Sequence, residues 1–383
     1  MRFEFYSAGR IIFGTGVFSE IGKLSSAFGK KALIIPGKKS FRATNKFELL
    51  LYELKNNDVE YIIYEGVSTE PDTETVDKAA EIGITNRVDM VIGIGGGSVI
   101  DTGKAVSGIL TNEGKVSDYM EGIGKGLPIS KPSLRYIAVP TTAGTGAEVT
   151  KNAVIYSREK NVKRSMRSPY LIPNTALVDP ELTINLSKEQ TAFSGMDALT
   201  QLIEAYVSKK AQPITSALSI YGIELAGKSL IRAYNDGGDI KAREDMILAS
   251  LLSGLALANA GLGAVHGLSS SLGALSIPHG KVCAILLPII MKENLPHDIE
   301  KFAKIGIAIT KKHFNSDKSS AYAGLDYIYN LCKELGIPEN LKEYNIQKNL
   351  IPEVIKNAGK SNMQANPKSF TEEELENLLE KII

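Results

Sequence analysis

The chain has no tryptophan, two cysteines and four histidines in 383 residues, and its 44 basic and 43 acidic side chains leave a formal net charge of +1. Each scarcity excludes something. Cys283 and Cys332 cannot build a disulfide framework and no CxxC pair is present, so a reducing cytoplasm is the expected location. A net charge this small gives no electrostatic footprint for nucleic acid or for an anionic membrane surface. The longest apolar run, Val282–Met291, contains Pro288 and falls well short of the roughly 20 residues of a membrane span. The N-terminal MRFEFYSAGR lacks an apolar core of the signal-peptide kind, so no leader is expected. What is present is ordinary for a globular protein, with 43% apolar and 23% charged residues. At this length two domains are the default.

The N-terminal half alternates between two periodicities. Phe3–Tyr6 and Arg10–Phe13 have strand character, and Val17–Phe28 carries apolar residues at helical spacing. Lys31–Pro36, Val59–Tyr64 and Asp89–Ile94 are continuous apolar runs suited to buried strands, separated by helical stretches at Phe41–Asn56 and Thr73–Asn86. Strand and helix in alternation predict a parallel α/β sheet with right-handed crossovers.

Two loops in this half are built to receive an anion. The strand Asp89–Ile94 runs into Gly95, Gly96, Gly97 and Ser98, and a helix follows through Leu110. Glycines there let a phosphate approach the backbone, and the helix start supplies amide donors and a positive dipole end. The fingerprint is imperfect, because Ser98 stands where the dinucleotide pattern has a third glycine. A second strand, Arg135–Val139, leads into PTTAGTGAEVT, in which Thr141, Thr142 and Thr145 offer hydroxyls between small residues. Two such loops at the carboxyl ends of strands favour a pyrophosphate between them, hence a dinucleotide. A pair of tight turns with no ligand is the plainer alternative.

After Val178 the strand-like runs largely stop, and helical patterns cover Gln190–Ser208, Ile214–Tyr234 and Ala242–Ala260. A capping-box pattern from Thr371 to Glu374 opens a last amphipathic helix. The domain boundary is therefore expected near Thr183–Ser187, dividing the chain into residues 1–183 and 184–383. In the first of these helices Asp197 and Gln201 are four apart and share a face, which Glu204 can join. The neighbouring residues are apolar, so a carboxylate there requires a cation or several hydrogen bonds. The stretch NAGLGAVHGLSSSLGALSIPHG holds His266 and His279 in an apolar, small-residue setting, unlike His297 and His313 among charged neighbours. Two readings stand for the pair: core histidines bonded to backbone carbonyls, or ligands that complete a metal set with Asp197 and, weakly, Gln201.

Together these motifs resemble the iron-containing (group III) alcohol dehydrogenase family, related more distantly to glycerol dehydrogenases and dehydroquinate synthases. The resemblance runs from Ile12–Gly16 through Gly95–Asp101, Pro140–Glu148, Val178–Leu182, Gly195–Thr200 and Pro278–Gly280 to Asn366–Lys368. It implies a mostly parallel, Rossmann-like nucleotide-binding α/β domain followed by an all-helical domain that carries metal and substrate. By motif, Gly96, Gly97, Ser98, Asp101, Thr141, Thr142 and Thr150 would hold the pyrophosphate, and Lys163 and Leu182 would line the cofactor site. Asp197, His266 and His279 match catalytic metal-ligand positions, with Gln201 at the fourth. The implied activity is interconversion of a small alcohol and its aldehyde or ketone by hydride transfer with NADP or NAD, assisted by divalent iron or zinc. The resemblance also implies a homodimer or higher homo-oligomer, with no nucleic-acid or membrane partner.

Two positions depart from the family pattern. Gln201 stands where a histidine is usual, which exchanges a nitrogen donor for a neutral amide oxygen and weakens iron or zinc binding. Ser270 stands where many members carry a histidine thought to relay protons, and a serine does not titrate near neutrality. A metal-independent reductase, or a nucleotide-binding protein that has lost catalysis, are accordingly the alternatives. Cofactor choice rests on Gly37, Lys38 and Ser40. An acid after the second strand would accept from a ribose 2′-hydroxyl and repel a 2′-phosphate, whereas Gly37–Arg42 holds no acid and three cations, so NADP(H) is expected.

Overall fold

The computed structural model describes residues 2–37, 41, 44–67, 71–275 and 277–383. They form two compact units, one of Tyr6–Asn185 and one of Leu186–Ile383 with Met1–Phe5. Among the described residues no single helix is long and apolar enough to cross a membrane.

In the first unit the order is β1 (Arg10–Phe13), α1 (Ile21–Ser26), β2 (Lys31–Pro36), α2 (Asn45–Asn56), β3 (Glu60–Ile63), α3 (Thr73–Asn86), β4 (Met90–Gly95), α4 (Gly97–Ile109), β5 (Arg135–Pro140), β6 (Asn152–Ser157), β7 (Val162–Arg167) and β8 (Thr175–Val178). Six strands make one sheet in the order β1-β8-β5-β4-β2-β3, and every pairing in it is parallel. Both faces are covered, which is why the strands read as unbroken apolar runs. Ala32, Ile34, Ile92, Ile137 and Leu177 face α1 and α2 through Ile21, Leu50 and Leu54. Leu33, Ile35, Val91 and Ala138 face the other way, against Val76, Ala79, Val99 and Val106 from α3 and α4. At the ends of α3, Asp72 accepts from the amide of Thr75 at 2.7 Å as N-cap, and Arg87 closes the helix in the left-handed region.

The structure adds and removes elements relative to the sequence reading. The antiparallel hairpin β6–β7 was not expected, since its strands carry charges and Val154 is exposed. Phe3–Tyr6 forms no strand despite its alternation. The second helix begins at Asn45, four residues after Phe41.

Among the described residues the second unit has helices and no strand: α5 (Lys188–Val207), α6 (Pro213–Asn235), α7 (Ile240–Ala260), α8 (Ala264–Leu272), α9 (His279–Asn294), α10 (Ile299–Thr310), α11 (Asp317–Glu334), α12 (Ile351–Asn357), α13 (Lys360–Ala365) and α14 (Glu372–Ile382). Capping boxes start α5 at Ser187 and α14 at Thr371. From Gly195 to Val207 every residue of α5 is buried, so its polar side chains must find partners inside the protein.

Candidate active site

The glycine-rich and threonine-rich loops leave the sheet side by side. β4 and β5 are in register through Gly95 and Pro140, and the amide of Thr141 donates to the carbonyl of Gly95 at 3.0 Å. Gly96 is the N-cap of α4. A Cβ at Gly97 would lie 2.8 Å from Cγ2 of Thr145, and one at Gly96 would lie 3.3 Å from Cγ2 of Thr142. Glycine is what lets the two loops close on each other at the carboxyl ends of the strands.

Behind these loops lies a buried ionic lattice. Lys104, fully buried on α4, pairs with Asp101 at 2.7 Å and donates to Oγ1 of Thr150 at 2.8 Å and to the carbonyl of Asn152. Asp101 also accepts from the amide of Val154 at 2.9 Å. Asp101 and Thr150 thus fasten α4 to β6, whereas Thr141 and Thr142 stand at the loop itself. Glu148 is buried beside this lattice, and its Oε1 has no hydrogen-bond partner among the described residues. Burial lifts its pKa to about 7, against the pull of its own backbone amide and of Lys104. Of the other expected cofactor residues, Lys163 lies on β7 and Leu182 packs against the α1–α2 side of the sheet core. The amide of Gly37 donates to the carbonyl of Ile94 at 3.0 Å. Lys38 and Ser40 lie outside the described residues.

In the helical unit three segments bring titratable groups together. α5 supplies Asp197, Gln201 and Glu204 from one face, α8 supplies His266, and the first turn of α9 supplies His279 and, one turn on, Cys283. Nε2 of His266 lies 3.2 Å from Oδ1 of Asp197, and Nε2 of His279 lies 3.6 Å from the same oxygen. The two imidazole rings are 5.3 Å apart between centroids and tilted by 59°. Sγ of Cys283 stands 3.8 Å from Nε2 of His266 and 3.6 Å from Nε2 of His279. One donor atom from each of Asp197, His266, His279 and Cys283 falls within 4.8 Å of the others.

Glu204 organises this group from behind. Its Oε1 accepts from the amide of Val265 at 2.7 Å, and its Oε2 lies 2.6 Å from Nδ1 of His266. A carboxylate only accepts, so Nδ1 carries the hydrogen and Nε2 is turned toward Asp197. The amide of Ala264 donates to Asn366 at 3.1 Å, so the start of α8 is held by two side chains from distant parts of the chain.

The charges reinforce one another. Burial opposes ionisation of His266, but Cys283, Asp197 and Glu204 outweigh it and hold the ring well above the usual imidazole value. His279 is raised in the same way, with burial opposing and Cys283 and Asp197 prevailing. Its side chain is 43% open to solvent, so water screens its charge and the push is weaker than on His266. Burial would raise Asp197 and Cys283, yet the two imidazoles hold both below their ordinary values.

The remaining expected residues sit differently. Oε1 of Gln201 accepts the hydroxyl of Ser253, on α7, at 2.7 Å. Ser270 is exposed and donates to the carbonyl of Gly267 at 2.8 Å, within its own helix. Glu204 was read from the sequence only as sharing a helical face, and Cys283 only as a cysteine without a disulfide partner. The signal for Cys283 was its i+4 spacing from His279, the same spacing that places Gln201 beside Asp197.

Comparison with known proteins agrees with this architecture. The family model described as iron-containing alcohol dehydrogenase matches residues 8–180, and the one for the C-terminal part of that family matches residues 191–383. Alcohol dehydrogenase 4 of Saccharomyces cerevisiae is 33% identical over 98% of this chain and 97% of its own length. The NADPH-dependent butanol dehydrogenase of Clostridium saccharobutylicum is 33% identical over 97% of this chain and 95% of its own. The crystal structure of a 1,3-propanediol oxidoreductase superposes with a TM-score of 0.95 at 32% identity, covering 100% of both chains. That of sulfoacetaldehyde reductase from Bifidobacterium kashiwanohense in complex with NAD+ superposes with a TM-score of 0.90 at 29% identity, covering 100% of this chain and 99% of that one. The class that these family models and relatives define is a nicotinamide-dependent oxidoreductase. The chain belongs to the iron-containing alcohol dehydrogenase family. It interconverts alcohols and aldehydes with a nicotinamide cofactor.

Proposed function

We propose that a divalent metal, iron or zinc, is held at Asp197, His266 and His279, and that the chain reduces a small aldehyde or ketone with NADPH in preference to NADH. The observation that supports the metal is the spacing of donors. Bonds of about 2.0–2.3 Å to a tetrahedral ion put nitrogen and oxygen donors about 3.3 Å apart. The Asp197 oxygen lies 3.2 Å and 3.6 Å from the two histidine nitrogens. A cation bound there polarises the carbonyl oxygen or lowers the pKa of the alcohol.

The chain's own residues do the rest. Glu204 fixes the His266 tautomer, and Asp197 supplies negative charge in a buried position. Gly96, Gly97, Ser98, Thr141 and Thr142 bind the pyrophosphate where the two loops close, with Asp101, Thr150, Lys163 and Leu182 shaping the same end of the sheet. Relatives include an NADPH-dependent enzyme and one seen with NAD+. The preference therefore turns on Gly37, Lys38 and Ser40, where no acid repels a 2′-phosphate. β1 is an edge strand of the sheet, which supports self-association into a homodimer.

Purified protein is assayed for metal content and for NADPH-dependent aldehyde reduction before and after chelation. Activity lost with the metal and regained on its return is the expected result. Full activity in metal-free protein would favour a metal-independent reductase, and no turnover of any aldehyde would favour a lapsed nucleotide-binding protein. A kcat/KM for NADH equal to or above that for NADPH overturns the cofactor preference. Light scattering that gives a monomer at micromolar concentration overturns the dimer.

A further inference from the structure

We propose that Cys283 is the fourth protein ligand of this metal, so that the site is an Asp–His–His–Cys set that takes zinc in preference to iron. The inference rests on the metal-assisted reading above and adds a donor, and with it a selectivity, to that site.

Gln201 is the residue whose place on α5 would make it the fourth donor, and it is engaged elsewhere. Its carbonyl oxygen receives the Ser253 hydroxyl at 2.7 Å, deep among α5 and α7. That bond takes one of the oxygen's two lone pairs and turns the amide toward α7. Cys283 is placed differently. It is fully buried on α9, one turn beyond His279, and an i, i+4 pair on a helix presents both side chains to one point. Its sulfur is within 3.6 Å and 3.8 Å of the two histidine nitrogens and within 4.8 Å of a carboxylate oxygen of Asp197.

The spacing tests the assignment. A tetrahedral ion with metal–nitrogen bonds of about 2.05 Å and a metal–sulfur bond of about 2.3 Å places nitrogen and sulfur roughly 3.6 Å apart. The observed 3.6 Å and 3.8 Å meet that value, and the sulfur keeps it to both imidazoles at once while Asp197 lies within 4.8 Å.

The donor chemistry then decides the ion. A thiolate is soft, two imidazoles are borderline, and one carboxylate is hard; this mixture suits zinc better than a set of carboxylate and imidazoles alone, and it disfavours magnesium and manganese. Binding replaces the S–H bond with a sulfur–metal bond and releases that proton to solvent, with no change of oxidation state. Iron-binding behaviour inferred from the family pattern therefore does not transfer to this chain.

The test uses full-length metal-free protein titrated with cobalt(II), which takes zinc sites and absorbs in the near ultraviolet when a thiolate is bound. The chain has only two cysteines, so a Cys332→Ser variant leaves Cys283 as the sole thiol. The expected result is a thiolate-to-cobalt charge-transfer band in the native protein and in C332S, and its loss in C283S. With equimolar zinc and iron(II) offered under reducing conditions, recovered native protein should contain zinc, and C283S should show a smaller zinc-to-iron ratio. Folding of C283S is checked by its thermal transition, while the C332S arm is diagnostic even if C283S does not fold. Visible cobalt bands without the charge-transfer band, or a band that disappears in C332S, would falsify the thiolate ligand and leave the metal reading intact. No cobalt binding at all overturns both.

Discussion

One carboxylate, Glu204, grips both the ring of His266 and the start of the helix that carries it: Oε2 lies 2.6 Å from Nδ1, and Oε1 accepts from the amide of Val265 at 2.7 Å. Glu204→Gln keeps the volume but turns an NH2 group toward one of two donors. Loss of such an outer carboxylate typically weakens metal binding about 10- to 100-fold. We expect E204Q to show that loss in a zinc titration, together with a lower thermal transition. Unchanged affinity would remove Glu204 from the site's organisation.

Cofactor preference is testable at a position with room to spare. Among the described residues the nearest atom to a Cβ built at Gly37 is Cγ2 of Val99, at 3.9 Å, and its φ is one that any residue adopts. Gly37→Asp therefore fits, and its carboxylate accepts from a ribose 2′-hydroxyl while repelling a 2′-phosphate. The ratio of kcat/KM for NADPH over NADH should fall by about tenfold or more, the equivalent of roughly 1.4 kcal/mol. An unmoved ratio would place the discrimination elsewhere.

The closeness of the two anion loops gives a steric prediction. Ala at position 97 would bring Cβ to 2.8 Å from Cγ2 and 2.9 Å from Oγ1 of Thr145. Gly97→Ala should raise KM for the nicotinamide cofactor by about tenfold while leaving metal content unchanged, since it wedges the loops apart. Thr145→Ala in the same chain removes both clashing atoms and should recover part of the loss. No recovery in the double variant would mean that the backbone of Gly97, and not the space beside it, is what matters.

Glu148 sets a pH dependence of stability. Its folded pKa of about 7 lies above the ordinary carboxyl value of 4.5, so the folded state binds a proton that the unfolded state releases. The stabilisation is fully present below the unfolded value and is lost as pH rises through the folded one. For a fully buried group a shift of this size corresponds to about 3 kcal/mol. The unfolding free energy of the native protein relative to that of Glu148→Gln, followed by denaturant titration from pH 5 to 8, should fall by an amount of that order. A constant difference would show that Glu148 keeps its charge on folding.

The sequence carried the sheet further than it carried the site. β2, β4 and β5 were legible because burial on two faces forces unbroken apolar runs, and α3 because its apolar residues recur at helical spacing. The β6–β7 hairpin was not, because Lys163, Arg164 and Arg167 mask its alternation. Asp197, His266 and His279 stood out by chemistry and resemblance, since a carboxylate and imidazoles in apolar sequence demand partners, and the structure brings the three together. Cys283 escaped because a thiol in the apolar run VCAILL reads as one more core side chain, and its burial says nothing of its neighbours. Glu204 showed only as a face-sharing residue, because its two acceptor bonds run to residues some sixty positions away, a pairing no local pattern encodes.

The grip of Glu204 on α8 has a consequence for the life of the site. With Asn366 it holds the first amides of that helix, and with its other oxygen it holds the ring. Fraying of the first turn of α8 and misorientation of His266 are then a single local opening, with one free energy. Whatever protects the ring protects the helix, and an apo protein that loosens there loses its ligand geometry and its fold in the same fluctuation.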